Sequence, residues 1–238
     1  SAPHIIISFI NQNKHSEYDY WGDEWSTSPD VRTTVSGFGT TSPDSSSWRD
    51  FFVWKLYQIY KHARMPGVYY DCDMEPGDSN HYHGGGIQVD DKFFGKPTIL
   101  GTRRLCQRVY VMLRELEPEQ TMIGLHASGF LNLAYMGWCD WYADGENFTA
   151  RLNKQVQDYH KIYPPDSFLA KSMGHNTGLM VRFLDEQNRA GATDAEDWKR
   201  LGPQPTLHLY GLILLHDSGF WHAYGNPDSY RMVNAALV

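Results

Sequence analysis

The stretch Gly67-Val-Tyr-Tyr-Asp-Cys-Asp-Met-Glu75 is a short β-branched and aromatic run that ends in three carboxylates at alternate positions. In an extended chain, side chains at alternate positions project to the same side. Asp71, Asp73 and Glu75 therefore converge on one side if the strand continues through them. This pattern predicts a site for chemistry at the end of a strand.

A second stretch, Trp138-Cys-Asp-Trp-Tyr-Ala-Asp-Gly-Glu146, again places acids at even spacing after an aromatic run. Asp144 and Glu146 fall at its end. Two strands that each end in acids can supply the two carboxyl groups that general acid–base chemistry needs.

Apolar runs alternate with stretches of helical periodicity along the whole chain. Strands are predicted at 4–10, 67–75, 121–126, 136–144, 178–184 and 206–216, and helices at 45–65, 102–116, 148–162 and 228–237. A long polar and aromatic loop is expected after the first strand. The 206–216 run is assigned as a strand because Leu207, Leu209, Ile213 and Leu215 share one parity and Gly211 interrupts the run.

The alternation of strand and helix favours an α/β fold with a parallel sheet, most simply a (β/α) TIM-type barrel, because parallel strands need crossover helices. The 238 residues suit one such domain spanning 1–238. Six predicted strands are fewer than the eight of a complete barrel. We therefore expect either disguised strands or a chain that is a piece of a longer protein.

Composition excludes some partners and favours another. The net charge of −7 and the lack of basic runs argue against nucleic acid, and no apolar window is long enough to cross a membrane. Aromatic residues make up 14% of the chain. Many fall in predicted loops, where rings such as Trp141 and Trp221 could stack on the apolar faces of sugars. These features favour a carbohydrate as the substrate.

Polar residues follow several of the predicted strands. Barrel enzymes build their active sites at the C-terminal ends of the strands. The residues at or just beyond those ends are Asp71, Asp73, His126, Asp144, Glu146 and His216.

An ordered series of short motifs resembles the catalytic region of bacterial proteins related to glycoside hydrolase family 123. The motifs lie between residues 67 and 221: Gly67-Val-Tyr-Tyr-Asp71, His83-Gly84, Gly101-Thr-Arg103, Leu125-His-Ala-Ser-Gly129, Asp144-Gly-Glu146, Leu215-His-Asp217 and Phe220-Trp221. The resemblance implies a (β/α)-barrel glycosidase, in a secreted or periplasmic protein that often carries flanking β-sandwich domains.

The chain departs from that family in one respect. The resemblance implies an adjacent Asp-Glu pair that acts together with the acetamido group of the substrate, but neither acid-tipped strand ends in such a pair. Adjacent pairs occur at Asp23-Glu24 and Asp185-Glu186. Asp23-Glu24 lies in the predicted aromatic loop after the first strand, from which it could reach the site.

A glycosidase needs one carboxylic acid to protonate the leaving oxygen and a second group that attacks, activates water or orients a neighbouring amide. Glu146, which lies farthest out on its strand, is the predicted acid, and Asp71 is the predicted partner carboxylate. Asp73 and Asp144 are expected to hold substrate hydroxyls. His126 and His216 are expected to bind hydroxyls or to orient an acid. This mechanism uses no metal or cofactor.

Two other classes of protein stay open at this stage. A metal-dependent hydrolase or deacetylase acting on a carbohydrate could use oxygen and imidazole ligands, for which the candidates are Asp71, Asp73, His81, His83, Asp90 and Asp91. A non-catalytic sugar-binding domain derived from a glycosidase would use the same aromatic residues and carboxylates without turnover.

Overall fold

A computed structural model describes the following residues: 2–11, 14, 16–30, 32, 34, 36–72, 74–127, 131–146, 164–172, 178–184, 203–221 and 226–237. The chain divides into two compact units. The first comprises Ser1–Leu125 and Asn132–Cys139, and the second comprises His126–Leu131 and Asp140–Val238.

The described strands and helices are numbered here in chain order. The strands are β1 (His4–Ile5), β2 (Phe9–Ile10), β3 (Gly39–Thr40), β4 (Gly67–Tyr70), β5 (Gly77–Asp78), β6 (Ile87–Val89), β7 (Lys92–Phe94), β8 (Lys96–Pro97), β9 (Met122–His126), β10 (Trp141–Asp144), β11 (Met180–Leu184) and β12 (Gly219–Trp221). The helices are α1 (Glu17–Trp25), α2 (Ser46–Ala63), α3 (Ile99–Leu116), α4 (Leu133–Met136), α5 (Pro165–Ser172), α6 (Gln204–Leu215) and α7 (Pro227–Leu237), with a short 3₁₀ helix at His81–His83.

In the first unit, β4 lies between β1 and β9 and is parallel to both. Tyr69 is level with His4 on β1 and with Gly124 on β9. Every residue of β4 is buried, as a strand covered on both faces requires. Helix α2 leads into β4: the Ser45 hydroxyl caps its N-terminus by accepting a hydrogen bond from the Trp48 backbone N–H at 3.2 Å. The strand predicted at 67–75 is therefore present, but it ends at Tyr70, and Cys72 with φ 62° interrupts the extended conformation, so the prediction that the strand continues through the acids is wrong.

In the second unit, β11 lies between β10 and β12 and is again parallel to both. One face of these strands is covered by helices. Phe183 packs on Phe168 of α5 at 5.1 Å, and Phe220 packs on Tyr210 of α6 at 4.7 Å. Tyr230 of α7 contacts Phe220 at 5.3 Å between ring centroids. The other face carries the side chains considered below.

The aromatic segment after the first strand is helical, so the prediction of a loop there is wrong. Tyr18, Gly22 and Trp25 are buried at the i, i+4, i+7 spacing of a helix. The Tyr18 hydroxyl donates to the backbone oxygens of Arg32 and Thr40 at 2.7 and 2.8 Å. Packing of these rings against the rest of the unit therefore stabilises α1.

The 206–216 run is also helical, so the prediction of a strand there is wrong. Its buried residues follow one another at helical spacing: Pro205, Thr206, Leu209, Tyr210, Leu212 and Ile213. Pro205 lies in the first turn, where its missing N–H costs nothing. The sixth parallel strand is β12 instead, and His216 follows a helix rather than a strand.

The first predicted strand, 4–10, is divided into β1 and β2. The chain bends at Ile7 and Ser8, where the Trp48 indole N–H donates to the Ile7 oxygen at 3.0 Å and the Thr41 N–H donates to the Ser8 oxygen at 2.8 Å. The bend lets β2 pair with β3 in an antiparallel ladder. Only β1 joins the parallel set.

The protein is thus a mixed α/β protein with parallel strands in both units, and closure into a barrel stays a prediction. The predicted strand at 178–184 and the predicted helices at 45–65, 102–116 and 228–237 are confirmed with small shifts at their ends. The predicted helix at 148–162 lies outside the described residues. Within the described part of the chain, no helix is both long and apolar enough to cross a lipid bilayer.

The three cysteines differ in exposure. Cys106 and Cys139 are buried, whereas Cys72 is exposed and directly follows Asp71. Burial raises the pKa of the Cys106 thiol to about 12. Cys72 has φ 62°, a left-handed conformation that is costly for residues other than glycine. The backbone is therefore strained directly after the acid that ends β4.

Candidate functional site

A histidine and a glutamate are in direct contact in the second unit. His126 Nε2 lies 3.1 Å from Glu146 Oε2, a distance that suits a hydrogen bond from Nε2–H to the carboxylate. The His126 side chain is 14% exposed and that of Glu146 is 36% exposed. The histidine is thus largely enclosed, while the carboxylate remains open to solvent.

The backbone around this pair fixes its position. Ala127 donates its N–H to the Ala143 oxygen at 2.8 Å, which ties the residue after His126 to β10 within the second unit. Gly145 has φ 123°, a conformation that side chains with a Cβ adopt only under strain. The chain therefore turns sharply between β10 and Glu146.

Asp144 is fully buried and has partners on both carboxylate oxygens. Its Oδ2 lies 3.0 Å from Lys171 Nζ on α5, and its Oδ1 accepts the Gly145 backbone N–H at 2.7 Å. The Tyr142 hydroxyl donates to the Lys171 backbone oxygen. Buried carboxylates need such partners, since an unpaired charge is costly away from water. This geometry favours a role for Asp144 in holding α5 against β10 over its predicted role in holding substrate hydroxyls.

The opposite face of the same strands carries two tryptophans and an arginine. The rings of Trp141 and Trp221 meet edge to face, 5.9 Å apart between centroids. The Arg182 guanidinium carbon lies 4.9 Å from the centre of the Trp141 ring. Both tryptophans lie on strands, so the prediction that they lie in loops is wrong, but they share one face of the sheet, where Trp141 is buried and Trp221 is partly exposed.

His216 ends α6. Because a carbonyl only accepts, its Nδ1–H donates to the Leu212 oxygen at 2.7 Å, and its ring packs on Phe168 at 4.9 Å. These contacts place His216 at a helix terminus, where an imidazole satisfies a carbonyl that the helix leaves free.

In the first unit, Asp71 follows β4. Its Oδ2 lies 3.6 Å from His4 Nδ1, and its Oδ1 accepts the Cys72 backbone N–H at 2.9 Å. The side chain is 31% exposed. Asp73 lies outside the described residues.

Asp23 and Glu24 lie in α1 of the first unit and have different neighbours. Asp23 Oδ1 is 3.1 Å from Arg32 Nη1. Glu24 Oε1 accepts hydrogen bonds from the hydroxyls of Ser45 and Ser47 at the start of α2. The Glu24 carboxylate thus lies where the N-terminus of a helix favours negative charge. Asp185 and Glu186 lie outside the described residues.

The histidines of the metal hypothesis are in separate environments. His81 stacks on Tyr82, with the two rings 4.6 Å apart, at the exposed surface. His83 Nδ1 lies instead 2.8 Å from Oδ2 of the buried Asp78. Among the described residues, no group of three or more His, Cys, Asp and Glu side chains is placed to hold a metal ion.

The structure therefore brings together two subsets of the predicted site residues, the pair His126 and Glu146 and the pair Trp141 and Trp221. Sequence reasoning missed Lys171, Arg182 and Asp78. Arg182 could have been found, because it is a charged residue inside a strand that is otherwise apolar. Lys171 and Asp78 give no such signal, since each lies in a polar stretch.

Comparison with known proteins adds little to this mixed α/β assignment. No model of a known protein family matches the chain, and no curated protein matches it either. The resemblance to glycoside hydrolase family 123 thus stays a prediction.

Among solved structures, the chain is similar to a cycloisomaltooligosaccharide glucanotransferase from a Paenibacillus species, complexed with cycloisomaltoheptaose. The sequences are 12% identical over 77% of this chain and 26% of that protein, and the TM-score is 0.47. The chain thus spans about a quarter of the length of that enzyme. A likeness of this size assigns no family and no activity.

Proposed function

We propose that the protein is a glycoside hydrolase that cleaves a glycosidic bond in an oligo- or polysaccharide, with Glu146 as its general acid. The observation that supports this proposal is the contact of 3.1 Å between His126 Nε2 and Glu146 Oε2. It joins an open carboxyl group to a histidine that can hold it in one orientation.

Glu146 fits the requirements of a general acid. A catalytic acid must reach the leaving oxygen of a bound substrate, so it needs an accessible carboxyl group. Of the two described acids at the end of β10, Glu146 is partly exposed and Asp144 is fully buried. Glu146 is therefore the more accessible of these two acids to a bound substrate.

His126 acts through Glu146 and is a positioning residue. A histidine N–H that donates to one carboxylate oxygen restricts the rotation of the carboxyl group, and this shortens the search for a productive geometry. The largely enclosed ring of His126 has little freedom of its own. The pair thus joins a largely enclosed histidine to a partly exposed carboxyl group.

Asp71, which follows β4 in the first unit, is the predicted partner carboxylate, and that role stays a prediction from the sequence. Its Oδ1 accepts a backbone N–H and its Oδ2 faces His4 at 3.6 Å.

The test is a hydrolysis screen of the purified protein on aryl glycosides and polysaccharides, including N-acetylhexosaminides, with and without a chelator. The variants are Glu146→Gln and, as a matched control, Glu119→Gln, which removes an exposed glutamate of the first unit. We expect hydrolysis that is insensitive to chelation, lost in Glu146→Gln and kept in Glu119→Gln.

Other results would contradict the proposal in different ways. Activity that disappears on chelation would identify a metal-dependent hydrolase. Binding of glycans without hydrolysis of any of them would identify a sugar-binding domain. Full activity of Glu146→Gln on a substrate that the wild type cleaves would remove Glu146 from the mechanism.

A further inference from the structure

Arg182 lies at the centre of the face of the second unit that carries the two tryptophans. It is level with Ala143 on β10 and with Gly219 on β12. Trp141 precedes Ala143 by two residues and Trp221 follows Gly219 by two. Because alternate residues of a strand share a face, all three large side chains project to the same side.

The Arg182 side chain has space because its neighbour on β12 is a glycine. A Cβ atom at position 219 would lie 3.1 Å from Arg182 Cγ and 3.2 Å from the Val181 oxygen. Both distances are tighter than ordinary van der Waals contact. The aliphatic part of Arg182 thus packs over Gly219, and its guanidinium reaches the Trp141 ring.

Within the described part of the chain, the Arg182 guanidinium has no anionic partner. The guanidinium lies over the ring of Trp141, and among the described residues its buried Nε has no hydrogen-bond partner. Lys171 on the other face is different, since Asp144 neutralises it at 3.0 Å. A half-buried cation without a carboxylate is costly unless an anion joins it.

The chemistry of this face points to one kind of ligand. Guanidinium groups bind carboxylates and sulfates through two parallel hydrogen bonds, and tryptophan rings stack on the apolar faces of sugars. An arginine between two tryptophans combines both modes of recognition on one surface.

We propose that this face binds a sugar that carries an anionic group, a carboxylate or a sulfate ester, with Arg182 paired to the anion. The inference deepens the proposed function, on which it rests, by naming an acidic carbohydrate as the substrate class. Trp221, which is partly exposed, then supplies the apolar contact with the sugar ring, while the buried Trp141 supports the guanidinium.

The test is binding measured by calorimetry on the full chain. The probes are oligosaccharides of glucuronic and galacturonic acid, their carboxyl-reduced neutral counterparts, sulfated oligosaccharides and inorganic sulfate. The variants are Arg182→Gln, Arg182→Lys and, as a matched control, Arg231→Gln, which removes an exposed arginine on α7 of the same unit. Melting curves show whether each variant is folded.

We expect at least one acidic probe to bind more tightly than its neutral counterpart. Arg182→Gln should weaken that binding about 10- to 100-fold, as expected for the loss of a charge-assisted hydrogen-bonded pair. Arg182→Lys should retain part of the affinity, because it keeps the charge but not the bidentate geometry. Arg231→Gln should bind as the wild type does.

Three results would overturn the inference: equal binding of the acidic and neutral probes, unchanged affinity in a folded Arg182→Gln protein, and no binding of any acidic probe. A preference for uronic acids would identify the anion as a carboxylate, and a preference for sulfated sugars would identify it as a sulfate ester. Either preference supports the inference. Binding of inorganic sulfate alone would show a simple anion site and would also overturn it.

The same experiments distinguish failure of this inference from failure of the proposed function. Hydrolysis of a neutral glycan that depends on Glu146 would keep the glycosidase and overturn the acidic substrate. Binding of an acidic probe that depends on Arg182, without hydrolysis of any glycan, would keep the acidic ligand and overturn the glycosidase.

Discussion

Two histidine–carboxylate pairs in this protein differ mainly in their access to solvent. In the first unit, His83 Nδ1 lies 2.8 Å from Asp78 Oδ2, and the side chains are 7% and 0% exposed. In the second unit, His126 and Glu146 are 3.1 Å apart, and the glutamate is 36% exposed. The same two chemical groups thus occur in the interior of the first unit and in a partly exposed place in the second.

The partners of the two carboxylates explain the difference. Asp78 accepts hydrogen bonds from the Ser42 hydroxyl and from the Asn80 backbone N–H, the latter at 2.8 Å, in addition to its contact with His83. Both of its oxygens are occupied, so Asp78 fastens the segment at Ser42 to residues 78–83. The comparison teaches that a short distance between a histidine and a carboxylate does not by itself indicate catalysis, and that exposure of the carboxylate is what distinguishes Glu146 as the candidate.

The largest effect is expected for Glu146→Gln. Loss of a general acid lowers kcat by about 10²- to 10⁴-fold, while a surface amide has little effect on stability. Steady-state kinetics together with a melting curve measures both. A protein that loses its fold as well as its activity would show that the pair is structural, like Asp78 and His83.

The reverse pattern is expected for Asp78→Ala. Removing this buried carboxylate leaves His83, the Ser42 hydroxyl and the Asn80 N–H without their acceptor, and because each unsatisfied buried group costs about 1–3 kcal/mol, we expect a loss of about 3–5 kcal/mol of stability. For a protein of this size, such a loss lowers Tm by roughly 10 °C. Thermal unfolding followed by circular dichroism measures it, and a shift as small as that of a surface variant would contradict the structural role.

A smaller effect is expected for His126→Ala. The loss of a hydrogen bond to the carboxyl group should lower kcat about 10- to 100-fold and leave KM nearly unchanged. His126→Gln should restore much of the rate, because its amide N–H can donate from a position near that of Nε2. Equal rates for His126→Ala and His126→Gln would argue against positioning through this hydrogen bond.

The smallest effect is expected for Asp228→Ala. Asp228 and Arg231 form an ion pair at 2.9 Å, but their side chains are 86% and 80% exposed. Exposed pairs contribute little, since water screens both charges. We expect no measurable change in Tm or in turnover, and a clear change in either would show that exposure is a poor guide in this protein.

Much of the fold could be predicted because hydrophobic periodicity is a local property. Val68, Tyr69 and Tyr70 form a β-branched and aromatic run that predicts a central strand. The structure contains this run as β4, in which every residue is buried. Leu207 and Leu209 were misleading, because an apolar run on all sides of a helix also contains residues of one parity. Pro205 and the spacing of the buried residues contained the correct signal.

The site was predictable only in part, because contacts between distant residues depend on the packing. Glu146 and His126 each follow a strand, and that position alone placed both among the candidates. Strand parity puts Asp144 and Glu146 on the same side, yet Asp144 is buried against Lys171 on α5 and Glu146 is partly exposed. The difference comes from the turn at Gly145, which ends β10 after Asp144 and which parity does not predict.

The cysteines provide a direct way to observe the end of β4. The thiol of Cys106 stays protonated at neutral pH because its pKa is about 12, and Cys139 is buried as well. Only Cys72 of the three is exposed. A maleimide fluorophore should therefore attach to the native protein at one position, next to Asp71, and its emission would test whether a glycan binds there.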